Sequence, residues 1–215
     1  MNSNFIEIYE NAITNETCES LKNEFEYQHS IGNTYSPTNN KDLLDSFDLN
    51  LNESDRNEDL LDNQLFHHID DSLIYHVMKY QEKNQLNNYF LNIDLYDPAG
   101  LKDRGVTSFP IEAVMKLFDR SQVIIRKHSV NDGHNHNAYL QEWANTTEAE
   151  LHRSLVILYF LNDVSGASVD FYHQKLKIQP KEGTLLIFPA YFTHTYKINN
   201  INEDMYILKS WVKNN

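Results

Sequence analysis

Ten histidines and a single cysteine, Cys18, carry most of the chemistry this chain can offer. Imidazole ligates divalent transition ions and exchanges protons near neutral pH, so the position of each histidine matters. His67, His68 and His76 lie on or beside a helical stretch and read as solvent-facing or boundary side chains. His134 and His136 fall in the polar loop sequence GHNHNAY, and His194 closes the phrase FPAYFTH. A lone cysteine excludes a disulfide framework and fits a reducing compartment.

These residues are set among strands. The stretch 153–211 reads RSLVILYFLND, then VSGASVDF, then YHQKLKIQPKEGTLLIFPAYFTHT and DMYILKSWV. Short runs of Val, Ile, Leu, Phe and Tyr separated by Asn-Asp, Ser-Gly and Pro-Lys-Glu-Gly punctuation predict successive antiparallel strands. SQVIIRKHSV predicts a further strand leading into the histidine-bearing loop. Ahead of it the pattern predicts a first strand over residues 4–9 and a helix over 15–28 capped by Thr14 or Asn15, with Cys18, Leu21 and Phe25 on its buried face. KDLLDSFDLNL predicts a short strand or turn. Leu61, Leu65, Ile69, Leu73, Val77 and Tyr80 recur at three- and four-residue steps and predict an amphipathic helix over 60–84. Between 86 and 121 the pattern is weak: YFLNIDLY reads as a strand and FPIEAVMKLFDR as a short helix after Pro110.

The chain of 215 residues carries a formal charge of −13. That balance disfavours a phosphate-binding surface, which needs clustered Lys and Arg, and hence a nucleic-acid partner. The longest apolar run, 155–161, is too short to span a bilayer, and the opening MNSNFIEIYENAI lacks a signal-peptide pattern. The expectation is a soluble, cytoplasmic protein with no membrane partner.

The phrases LYFLNDV, FYHQKLKIQPKEGTLLIFPAYFTHT and MYILKSW resemble the C-terminal half of iron(II)/2-oxoglutarate-dependent dioxygenases of the prolyl-4-hydroxylase type, most closely the bacteriophage-borne versions. The most specific part of the resemblance is G-T-L-L-I-F-P-x-x-x-x-H. It implies a mainly β fold with flanking helices: a double-stranded β-helix, the cupin-like jelly roll, forming one domain over 1–215. Residues 122–215 would be its core, and 1–121 a strand-and-helix support layer with an insertion.

The same resemblance implies an iron site of two histidines and one carboxylate, and a basic residue pairing with the far carboxylate of 2-oxoglutarate. His194 stands where the family has its distal histidine. The first ligand is His136 or His134; in the first register the carboxylate position is Ala138, in the second it is His136. The basic position is occupied by Met205. Lys209 shares that strand face but stands ~13 Å further along it, and Arg153 on a neighbouring strand is the candidate replacement. Two smaller departures are Gly166 to Phe171 (GASVDF) in place of the family's Gly-Gly-x-Thr-x-Phe, and Phe160 in place of a tyrosine.

Three functions compete on these residues. One is a catalytically degenerate oxygenase fold with no catalytic residue, no cofactor or a weakly held divalent metal, and a structural or binding role among other protein subunits, as a homo-oligomer or a phage neck or tail component, in the host cytoplasm or the virion. Another is an active oxygenase using Fe(II) and 2-oxoglutarate on His134, His136 and His194. The last takes His136-Asn-Ala138 at face value as the alanine-bearing, chloride-binding site of halogenases in this superfamily.

Overall fold

The structure is a computed structural model that describes residues 4–36, 46–51, 63–86, 123–129, 153–199 and 202–213. The strands β1 (Glu7–Tyr9), β2 (Ser46–Asn50), β3 (Ile124–His128), β4 (Arg153–Phe160), β5 (Ser168–Phe171), β6 (Leu176–Ile178), β7 (Leu185–Pro189), β8 (Tyr196–Asn199) and β9 (Met205–Lys213) form two antiparallel sheets. The larger has the order β1-β7-β4-β9-β3-β2 and the smaller β6-β5-β8. Helices α1 (Asn15–Ser30) and α2 (Asn63–Lys83) complete the described elements.

Strand alternation explains the layering. On β4, Leu155, Ile157 and Tyr159 project to one side and pack with Cys18, Leu21 and Phe25 of α1 and Leu73, Ile74 and Val77 of α2. Val156, Leu158 and Phe160 project to the other side and pack with Val169, Phe171, Tyr196 and Ile198 of the small sheet. β4 is therefore buried on both faces, which is why its sequence is a continuous apolar run and not an alternation. Two cores result, one on each side of the large sheet, and both helices cover the larger sheet.

Local signals behave as their chemistry requires. Thr14 caps α1, its Oγ1 accepting from the Thr17 backbone N–H at 3.2 Å, which satisfies one orphan donor of the first turn. The helix runs two residues beyond the expected 28, to Ser30. The first strand is shorter than the expected 4–9. Phe5 adopts φ 54, a left-handed turn that breaks the extended chain, so pairing with β7 begins only at Glu7. That hook is pinned: Asn4 Oδ1 accepts from Ile6 N–H at 3.2 Å, and Tyr80 donates to the Phe5 carbonyl at 2.9 Å.

Gly183, in the turn before β7 that opens the G-T-L-L phrase, has φ +73 and its carbonyl accepts from the Ala12 N–H at 2.7 Å. A Cβ there would lie 2.7 Å from the Ile13 carbonyl oxygen, so glycine is required both by the backbone conformation and by the close approach. The weak-pattern strand and helix expected between 86 and 121, and the loop 130–152, lie outside the described residues.

Candidate functional site

On the small-sheet side of the large sheet, the strands β9, β3 and β2 present polar side chains. Arg126 pairs across to Asp48, its Nε and Nη2 donating to the two carboxylate oxygens at 2.7 Å each. His128 faces Met205 in the β3–β9 register, and Lys209 faces Ile124. Asp48, His128 and Lys209 are all buried. Because Met205, Ile207 and Trp211 pack into the inter-sheet core and strand side chains alternate, Lys209 shares their face. This buried polar wall is the part of the site that sequence reading missed. On β2 Ser46 and Asp48 alternate with Phe47 and Leu49, but on β3 the run Arg126-Lys127-His128 is polar on both faces, so the sequence does not mark which side is buried.

Met205 is fully buried in the inter-sheet core. The position that the resemblance gives to a cosubstrate-binding base is here a packing position, and Met suits it because a thioether chain fills irregular space without a charge to solvate.

Arg153 lies at the far end of the same ladder. β4 and β9 pair Arg153 with Lys213 and Phe160 with Ile207, so Arg153 and Met205 sit at opposite ends of the strand pair, Met205 lying eight residues or ~26 Å along β9 from Lys213, the partner of Arg153. The Arg153 guanidinium stacks on the Trp211 indole with Cζ 3.9 Å from the ring centroid, and Lys209 Nζ approaches the same ring at 5.0 Å. Each such contact is worth on the order of 0.5–2 kcal/mol, the upper end applying where the cation is desolvated. Arg153 is thus held against Trp211 and not beside Met205.

His194 is buried at the end of a 3₁₀ turn, Phe192–His194, that follows β7. Its Nε2 lies 2.8 Å from the Asn4 backbone oxygen and its Nδ1 2.9 Å from Thr193 Oγ1. A carbonyl only accepts, so Nε2 carries the hydrogen; Nδ1 of the neutral ring then accepts from the Thr193 hydroxyl. Burial lowers the His194 pKa, the Asn4 carbonyl working against it and nearby His173 with it. The ring is neutral, and both nitrogens are taken up by protein groups. An imidazole that ligates a metal has to present a free lone pair to the ion, so the His194 ring as it stands does not fit an iron site. His134, His136 and Ala138 lie outside the described residues, and with them the expected meeting of His136 and His194 at the barrel mouth. Among the described residues no group of three or more His, Cys, Asp and Glu is placed to hold a metal ion.

His76, read from sequence as a boundary histidine, is half-buried on α2. Its Nδ1 donates to the Ser72 carbonyl at 2.7 Å and its ring lies 4.8 Å from Tyr9. No helix among the described residues is long and apolar enough to cross a membrane.

No protein-family model matches the sequence, and no curated protein does. Solved structures do. A prolyl hydroxylase from Trichoplax adhaerens, in complex with a hypoxia inducible factor oxygen degradation domain peptide, superposes with TM-score 0.66 at 12% identity, over 99% of this chain and 84% of that one. The viral collagen prolyl hydroxylase of Paramecium Bursaria Chlorella virus-1, in its 2OG complex, gives TM-score 0.58 at 11% identity over 99% and 97%. A Pseudomonas putida prolyl-4-hydroxylase gives 0.55 at 7% over 99% and 94%. Two packed antiparallel sheets under two helices, matched along nearly the whole chain, make this a jelly-roll fold like that of these prolyl hydroxylases.

Proposed function

We propose that this chain is a binding or structural protein built on an oxygenase fold whose iron and cosubstrate chemistry has been lost. One observation carries the reading: both ring nitrogens of His194 are engaged within the protein, Nε2 by Asn4 and Nδ1 by Thr193. The burial of Met205 in the inter-sheet core supports it. A buried carboxylate without a cation costs on the order of 3–5 kcal/mol, by analogy with broken buried ion pairs, which is roughly a hundred- to several-thousand-fold in affinity. The biological setting that fits the phage-like resemblance is an assembly component of a virion neck or tail in the host cytoplasm, with other protein subunits as partners.

A second reading is favoured by the buried Lys209 and by Arg153, which together flank Trp211 on the inner side of the large sheet. An active oxygenase would draw its cosubstrate anchor from these cations and its metal ligands from His134, His136 and a reoriented His194, with the His-x-Ala arrangement at Ala138 as a variant.

Calorimetric titration of 2-oxoglutarate into protein supplied with Fe(II) decides between them. The structural reading expects no binding in the micromolar range by the natural chain. Micromolar binding by the natural chain, lost on Lys209→Met, would establish the second reading.

A further inference from the structure

The end of the sandwich beyond β7 exposes three aromatic side chains. Tyr191 and Phe192, in the 3₁₀ turn region, are 39% and 60% exposed, and Tyr172 at the end of β5 is 49% exposed. The two segments form one surface, because Gln174 Nε2 donates to the Thr193 carbonyl at 2.9 Å and the Tyr172 N–H to the Thr195 carbonyl at 3.1 Å. Lys175 lies over the Tyr172 ring at 4.1 Å, and Lys177 is 73% exposed at the side chain. The small sheet and the turn before β6 carry Lys175, Lys177 and Lys197 against one acid, Asp170, which Lys177 pairs at 3.0 Å, whereas the whole chain has a formal charge of −13. An aromatic, basic surface thus sits on a strongly acidic protein. Exposed aromatic clusters rimmed by polar groups mark contact sites, and the charge selects an acidic partner.

The same molecule offers that partner surface elsewhere. The outward face of α1 carries exposed Glu16, Glu19 (paired with Lys22 at 2.6 Å) and Tyr27, 59% exposed, with Glu26 at its edge paired to Lys127 at 2.8 Å, and Ile31, 53% exposed, follows at its end. α1 lies over the other end of β4, where Cys18 meets the Phe160 carbonyl and Phe25 meets Tyr206 edge-on at 5.8 Å. The aromatic surface follows Pro189, which pairs with Leu155 at the opposite end of β4, and it lies with the small sheet on the opposite face of the large one. The two surfaces therefore point away from each other and cannot meet within one molecule.

We propose that the Tyr172–Lys175–Phe192 surface docks the acidic outer face of α1 of a second copy of this chain, head to tail. Such a contact is heterologous: each copy keeps one surface of each kind free, so the assembly grows until it closes into a ring or continues as a filament. This deepens the binding-protein reading by naming its partner, and rests on it.

The test uses two double variants confined to exposed side chains. One is Lys175→Asn with Phe192→Ser; the other is Glu19→Lys with Tyr27→Ala. Sedimentation velocity of the natural chain is expected to show concentration-dependent association, weakened about tenfold or more when salt rises from ~0.05 M to ~0.5 M. Each variant alone is expected to be monomeric with an unchanged melting temperature. Mixed one to one, they are expected to form a dimer and nothing larger, since only one intact pair of surfaces remains. A natural chain that stays monomeric in low salt overturns the proposal. So does a natural dimer that grows no further, or a mixture of variants that fails to associate. Because the readout is hydrodynamic and independent of ligand, these failures are separate from a failure of the 2-oxoglutarate titration.

Discussion

The imidazole of His194 donates to the backbone carbonyl of Asn4 at 2.8 Å, joining two residues 190 positions apart in sequence. The contact ties the N-terminal hook to the 3₁₀ turn that follows β7.

His76 is one source of acid sensitivity, alongside His194. Burial lowers the His76 pKa, with the Ser72 carbonyl acting in the opposite direction. The folded state then holds fewer protons than the unfolded one just below the ordinary histidine value of ~6.5, so stability is full above that pH and falls as pH drops through it. Chemical denaturation at pH 7.5 and 5.5 is expected to show the loss, and His76→Gln to reduce it. Equal losses in the two proteins would refute the assignment.

Asp48 and Arg126 form a nearly buried two-pronged pair across β2 and β3. Replacing Arg126 by Met alone takes the cation from the buried carboxylate, with an expected cost of about 3–5 kcal/mol, and Asp48→Leu alone takes the carboxylate from the guanidinium. The double replacement is expected to recover most of that. A urea-unfolding cycle measures the coupling; additive effects would mean the pair contributes no mutual stabilisation.

Gly183→Ala is expected to destabilise by about 1–3 kcal/mol, since it combines a left-handed φ with a clash against the Ile13 carbonyl. Gly32→Ala, with φ +79 but open space around it, is the control and is expected to cost less. Thermal melts of the two variants side by side make the comparison.

Cys18 is buried, and burial pushes its thiol pKa up to about 11. A thiol that is both buried and protonated is a poor nucleophile. Maleimide labelling at neutral pH is expected only through opening of the α1 layer, at a rate that rises with denaturant. Immediate labelling of the native protein would show that α1 is not seated as described.

Much of the fold was legible in the sequence because it rests on local periodicity. The spacing of Cys18, Leu21 and Phe25 gave α1, and the run 155–161 gave a central strand. The ring direction of His194 was not legible, because it depends on Asn4, which only the folded chain brings near. Neither was the polar wall: Arg126 looks like a surface residue until β2 supplies Asp48 beside it. Arg153 as a substitute for the base at Met205 looked reasonable by strand adjacency alone; the β4–β9 register, which sequence does not encode locally, puts them at opposite ends. Phe5 shortened the first strand through a backbone conformation that an alternating pattern cannot reveal.

The double burial of β4 has a consequence for biosynthesis. The segment 155–161 combines high β-propensity with no charge, proline or glycine, which is the composition of a self-associating strand. One of its covers, α1 and α2, has already left the ribosome when it emerges; the other, β5 to β8, is completed only when Ile198 has been made. During that interval the nascent chain displays Val156, Leu158 and Phe160 to any neighbour, so yield of this protein in cells will depend on translation speed and on chaperones that shield a half-built sandwich.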